Sequence, residues 1–260
     1  MTSAFIVHIE AVKRMIASRL AFRTDLLLSA ATMAINESLV VIFTIIIYTA
    51  SEGFPGWSLP AALLLQGTFI LVHGIGGTGF MGVIWNTVRK VEAGELDLVL
   101  LQPRSTLQML IATGFDTEDI GRALAGIATV TYATAQLGPF GAWAWIRYAL
   151  LLLVGLAVLL SLGIICSGLA IRFVKTWRMY EVLDALYMLG EYPATLQQPT
   201  VRIVLSFAIP IITIAYLPAS VLLQMTVPHI GWIIAATAVF TLLSYGFWHS
   251  SIKAYASAGG

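Results

Sequence analysis

Charge is scarce in this chain. Only 14 Lys and Arg and 13 Asp and Glu occur among 260 residues, 10% in all, against 59% hydrophobic residues. That proportion excludes a surface wetted on all sides. With a mean hydropathy of +0.90, the surrounding solvent is lipid. Bulk basicity is lacking too: a formal net charge of +1 gives no general attraction to nucleic acid. Cysteine is reduced to Cys166, inside an apolar run, which excludes an intramolecular disulfide and makes it a small buried hydrophobe. No GxxxxGK[ST] string occurs, so no P-loop and no cofactor site are expected here, and any ATP and Mg belong on another subunit. No second His or Cys stands at ligand spacing, so no metal site is expected. The acidic pairs Glu92 with Glu95 and Glu118 with Asp119 have no attached base, which leaves enzymatic readings without a catalytic set.

What is present is a series of apolar segments. Residues 5–22 place Phe5, Ile9, Val12, Ile16 and Leu20 at spacings of three and four, with Glu10, Lys13, Arg14 and Arg19 between them. This spacing predicts an amphipathic helix lying on the membrane surface over 1–25, and not a cleaved signal peptide. Residues 26–50 and 59–84 are long enough to cross a hydrocarbon core of about 30 Å. A third span is expected over 120–137, preceded by capping and first-turn acids at Asp116, Glu118 and Asp119 and stopped by Gly138-Pro139. The fourth, 148–171, carries no charge, and the last is 232–250. Two stretches compete for the fifth: 176–190 is short and mixed, whereas 203–223 is more apolar but holds Pro210 and Pro218. A short span followed by a hairpin re-entering the membrane fits the same parity. The fold class is therefore all-α integral membrane, with six spans after an interfacial helix.

The cations are distributed unevenly on this topology. Lys13, Arg14, Arg19, Arg23, Arg89, Lys90, Arg104, Arg122, Arg172, Lys175, Arg178 and Lys253 fall on one side, and Arg147 on the other. Arg202 depends on the fifth span. The positive-inside rule places both termini in the cytoplasm.

Three features inside the spans invite function. Glu37 interrupts the first span near its middle, and an ionisable group at that depth costs several kcal/mol unless it is paired or used. Its neighbour Asn36 and His73 of span two are its expected partners on a substrate path, or a relay in an ATP-independent ion- or proton-coupled transporter. A structural polar contact between helices is the plainer alternative. The string from Gly74 to Gly79 has GxGxxG spelling, but without a preceding strand it reads as a small-residue helix-packing face with Gly82.

The most specific signal is the polar connection at 86–115. Gly94 is expected to break the helix leaving span two, after Glu92. Glu95 and Asp97 suit the first turn of a new short helix, Leu96, Val99 and Leu100 give it an apolar face that needs a partner, and Pro103 ends it. That face can dock in a groove of a soluble protein or fold back onto the bundle.

The string Glu92-x-Gly94-Glu95-Leu96-Asp97-x-x-Leu100-x-x-Pro103 resembles the signature of the type-2 ABC exporter permeases. Glu191-Tyr192-Pro193, Arg202, Phe207-Ala208-Ile209-Pro210 and Tyr216-Leu217-Pro218-Ala219 resemble the later part of a subgroup found as paired permeases. The acidic stretch 113–119 departs from that pattern. The resemblance implies one permease domain over 1–260 in the inner (plasma) membrane and a coupling helix in 86–115 that docks on ABC ATPase subunits. It also implies a second permease copy or paralogue, surrounding lipid, and short folded-back helices before the last span.

Overall fold

The computed structural model describes residues 23–173 and 178–255, together with Lys13. The interfacial helix expected over 1–25 lies, but for Lys13 and residues 23–25, outside the described residues. All regular structure among the described residues is helical.

Helix α1, Arg23–Ala50, is the first span. The turn that follows is fixed by positive φ at Gly53 and Gly56 and by the Tyr48 hydroxyl, which donates to the Trp57 carbonyl at 3.0 Å. Ser58 then caps α2, Leu59–Gly76, with Pro60 in the first turn, where its missing N–H costs nothing. A π-turn at Gly77–Met81 joins α2 to α3, Gly82–Glu92, so the second span reaches past its expected end at residue 84. Helices α4, Leu96–Leu100, and α5, Thr106–Ala112, make up the connection to α6, Asp119–Leu137. Helix α7, Ala142–Arg172, is the longest, and α8, Arg178–Gly190, is short. Helix α11, Ile230–Lys253, closes the chain.

Among the described residues four helical stretches are long and apolar enough to cross a membrane: Thr24–Ala50, Leu59–Glu92, Ala142–Arg172 and Ile230–Lys253. The stretch 203–223, which hydropathy favours as a fifth span, is not one helix. Helix α9, Pro199–Ile203, passes into a π-turn at Val204–Ala208, a 3-10 turn at Ile211–Thr213 and α10, Tyr216–Leu222. Pro210 explains the break. It has no N–H to bond back along a helix, and its ring drives Ile209 out of the helical region, to φ −130° and ψ 88°. Pro218 is tolerated because it falls in the first turn of α10. The stretch after Pro210 is enclosed: Ile211, Ile212, Ile214, Ala215 and Leu217 are all buried.

The second span is the centre of the bundle. Its most apolar window is 78% buried, whereas that of α1 is 6% buried. Glycine allows α2 to meet α6 almost backbone to backbone. A Cβ at Gly74 would collide with the Ala123 backbone, and one at Gly126 with the Leu71 backbone. The Gly-rich string is therefore a packing face, as its lack of context suggested. Helix α7 is tied to α11 by Ser161 and Thr241 at 3.1 Å and by Arg172, which donates to Ser251 at 2.9 Å and Ser250 at 2.7 Å while lying over the Phe247 ring.

Candidate functional site

Two constellations sit at one end of the bundle. The first is the helical break after the second span. Gly94 adopts φ +69°, a left-handed conformation open to glycine at no steric cost, and it separates α3 from α4. The Glu95 N–H then returns to the Lys90 carbonyl at 2.8 Å, and Lys90 pairs with the Glu95 carboxylate at 3.8 Å. Asp97 lies in the first turn of α4, where its charge suits the dipole.

The structure divides the apolar residues of this segment. Leu96 and Val99 are buried in the chain's own fold, Leu96 in one core with Val91, Leu107 and Leu110. Leu96, read from sequence as an ATPase contact, thus seats α4 on the bundle, and Leu100 is half-buried beside it. The outward face belongs to Leu98, 64% exposed, and Leu101, 82% exposed, with Glu92, Glu95 and Pro103 exposed around them. Sequence periodicity missed Leu98 and Leu101 because a five-residue helix is too short to reveal which side it buries. On the side of α4 facing the chain's end, Tyr255 lies against Asp97. Burial first, then the Asp97 charge, hold its phenol above the usual range, so it is a neutral donor.

The second constellation surrounds Glu37. Arg122, one turn into α6, donates Nε to Glu37 at 2.5 Å and Nη1 to Asp119 at 2.5 Å, and its Nη2 lies 3.9 Å from the Met33 sulfur. All three charged side chains are less than one-fifth exposed. Glu37 thus has a charged partner, Arg122, that the sequence did not propose for it. Asn36, about 100° further round α1, faces outward and is exposed. His73 packs on Tyr187, with ring centroids 4.6 Å apart, and on Phe69 at 5.7 Å. No hydrogen bond joins Glu37 to His73 among the described residues. Arg122, read from sequence as one of the cations on the cytoplasmic side, is the counter-ion of Glu37, and a cation one turn inside an expected span was the available signal.

Asp119 occupies the first turn of α6, and its carboxylate fills the space that a Cβ at Gly77 would take. Of the acids ahead of α6, Asp116 caps locally by accepting from the Glu118 N–H at 2.9 Å, and its own N–H bonds the Thr78 carbonyl in the π-turn at 3.2 Å. These contacts border an open cleft of about 680 Å³ lined by Trp85, Asn86, Arg89, Asp116, Asp119 and Arg122. Asn86 holds the wall in place, donating to the Leu110 carbonyl at 3.0 Å and accepting from Arg89 at 2.9 Å. Beyond the end of α8 lies Glu191, named in the sequence only as part of the Glu191-Tyr192-Pro193 string and given no role in a site. Burial, and next the Glu37 charge, raise its pKa to about 7. Among the described residues no group of three or more His, Cys, Asp or Glu could hold a metal ion.

Residues 34–259 match the family model described as ABC-2 family transporter protein. No curated protein matches the chain.

Proposed function

The chain belongs to the ABC-2 transporter family, and we propose that it is the transmembrane subunit of an ATP-driven exporter, a single permease domain over 1–260 coupled to a separate ABC ATPase. The observation that carries this reading is the exposed pair of Leu98 on α4 and Leu101 just after it, ringed by Glu92 and Glu95 at the end of the most buried helix pair. Two leucines exposed to water on a rigid, acid-flanked turn fit a groove on a soluble partner. Force applied there passes through Leu96 into α3 and, across the π-turn, into α2. ATP and Mg then act on the partner, closing it and shifting the permease between two global states.

In this proposal α1, α2 with α3, α6, α7, α8 and α11 are the six spans, the broken stretch from α9 to α10 re-enters from the outer side, and both termini are cytoplasmic in the inner membrane. A second permease copy completes the path. Its support is α1, which presents Leu28, Asn36, Leu39, Phe43 and Ile46 outward, and an exposed amide in the middle of an apolar span requires a polar partner or water.

Cysteine at 98 or 101 should crosslink to a co-expressed ATPase, and reconstituted transport should follow ATP and be indifferent to membrane potential. Transport that runs on potential without ATP would overturn the proposal.

A further inference from the structure

At the end of the bundle opposite α4, the loop from Gln224 to His229 is built differently from the rest of the chain. Gln224 at φ +57° and His229 at φ +60° are the two non-glycine residues with left-handed φ among the described residues, one at each end of this loop. Such conformations are strained for residues with a side chain and recur where a loop clamps a ligand. The loop walls two cavities. One, of about 360 Å³, is lined by Arg202, Ser206, Phe207, Tyr216, Val227 and His229. The other, of about 440 Å³, is lined by Arg147, Gln224 and Met225 and shares Val227 with the first. Trp57, which donates to Thr195 at 3.2 Å, fixes this region beside the N-terminal end of α2.

Arg147 and Arg202 thus each open on a cavity bounded by the same loop. Neither makes an ion pair or a side-chain hydrogen bond among the described residues. Around Arg202 the hydroxyl of Tyr216 and the imidazole of His229 supply further polar groups, while Phe207 and Val227 supply an apolar wall. Ile203 and Phe207, 59% and 40% exposed, extend that wall outward onto the lipid-facing surface. A guanidinium without a counter-ion, backed by a phenol and continuous with an apolar track, matches the junction between an anionic headgroup and an acyl chain.

We propose that the Arg202 cavity binds the phosphate headgroup of an anionic amphiphile, with Arg202 as the principal charge, Tyr216 and His229 as positioning donors, and the chain lying along Phe207 and Ile203. The amphiphile is either a resident lipid of the outer leaflet or the transported molecule. Both present the same chemistry, and the site stands whatever energy source drives transport.

The test uses the full chain in phosphatidylcholine nanodiscs doped with a photoreactive phosphatidic acid. Labelling is expected within residues 199–233, displaced by phosphatidylglycerol and unaffected by added phosphatidylcholine. Losing one charge-assisted contact should lower labelling about tenfold in Arg202→Gln, while Arg202→Lys, which keeps a phosphate-binding cation, stays within about twofold. Equal labelling by a photoreactive phosphatidylcholine, label mapped elsewhere, or unchanged labelling in Arg202→Gln overturns the proposal. The competition arm uses the unaltered protein and decides the matter even where a variant fails to fold. With ATPase and ATP present, labelling that falls during turnover assigns transported cargo, and labelling that persists assigns a resident lipid.

Discussion

Arg122 is the residue on which the largely buried carboxylates of Glu37 and Asp119 depend. It satisfies Glu37 and Asp119 together, so removing it strands two carboxylates, whereas removing Glu37 leaves Arg122 still paired with Asp119. Arg122→Gln is expected to cost roughly 3–5 kcal/mol, the penalty for an uncompensated buried charge, and Glu37→Gln clearly less. Thermal unfolding of the purified variants measures the difference, and equal transitions would show that the pair does not hold α1 to α6. Glu191 gives a pH signature of its own. Its pKa rises from 4.5 to about 7 on folding, so the protonated form favours the folded state. Its contribution is complete below pH 4.5 and is lost as pH rises through about 7. Stability should therefore fall with rising pH across that window, and Glu191→Gln should flatten the slope in a melting series.

At the scale of elements, α4 carries two roles on two faces. Leu96→Ala removes a fully buried side chain and is expected to cost about 2–5 kcal/mol of stability. Leu98→Asp with Leu101→Asp alters the exposed face alone, so it should leave the melting temperature near that of the unaltered chain while abolishing ATPase co-purification. A double variant that keeps its ATPase would remove α4 from the contact. The break at Gly94 belongs to the same element. Any side chain there must hold φ +69°, so Gly94→Val should weaken both readouts together.

At the scale of the whole molecule, the unburied face of α1 bears on assembly. Cys166 is buried, so a Cys166→Ser background is free of reactive thiols. On that background Leu39→Cys or Phe43→Cys, both on the outward face, should form a crosslinked dimer under mild oxidation. Met33→Cys, which replaces a side chain turned towards Arg122, should not. Crosslinking at position 33 with none at 39 would place the second copy elsewhere.

Composition and local pattern already determined that this is a helical membrane protein, that Gly94 breaks the chain after the second span, and that the Gly74–Gly79 string is a packing face. Each is settled within a few residues: hydropathy is a running sum, and a left-handed glycine is a property of one position. Only the tertiary structure decided that Glu37 pairs with Arg122, 85 residues away, that Leu98 and Leu101 face outward while Leu96 does not, and that 203–223 folds as short pieces. The physical reason is common to all three. A lipid-solvated chain has apolar residues on every side of its helices, so periodicity no longer marks the inward face, and long-range packing must choose it.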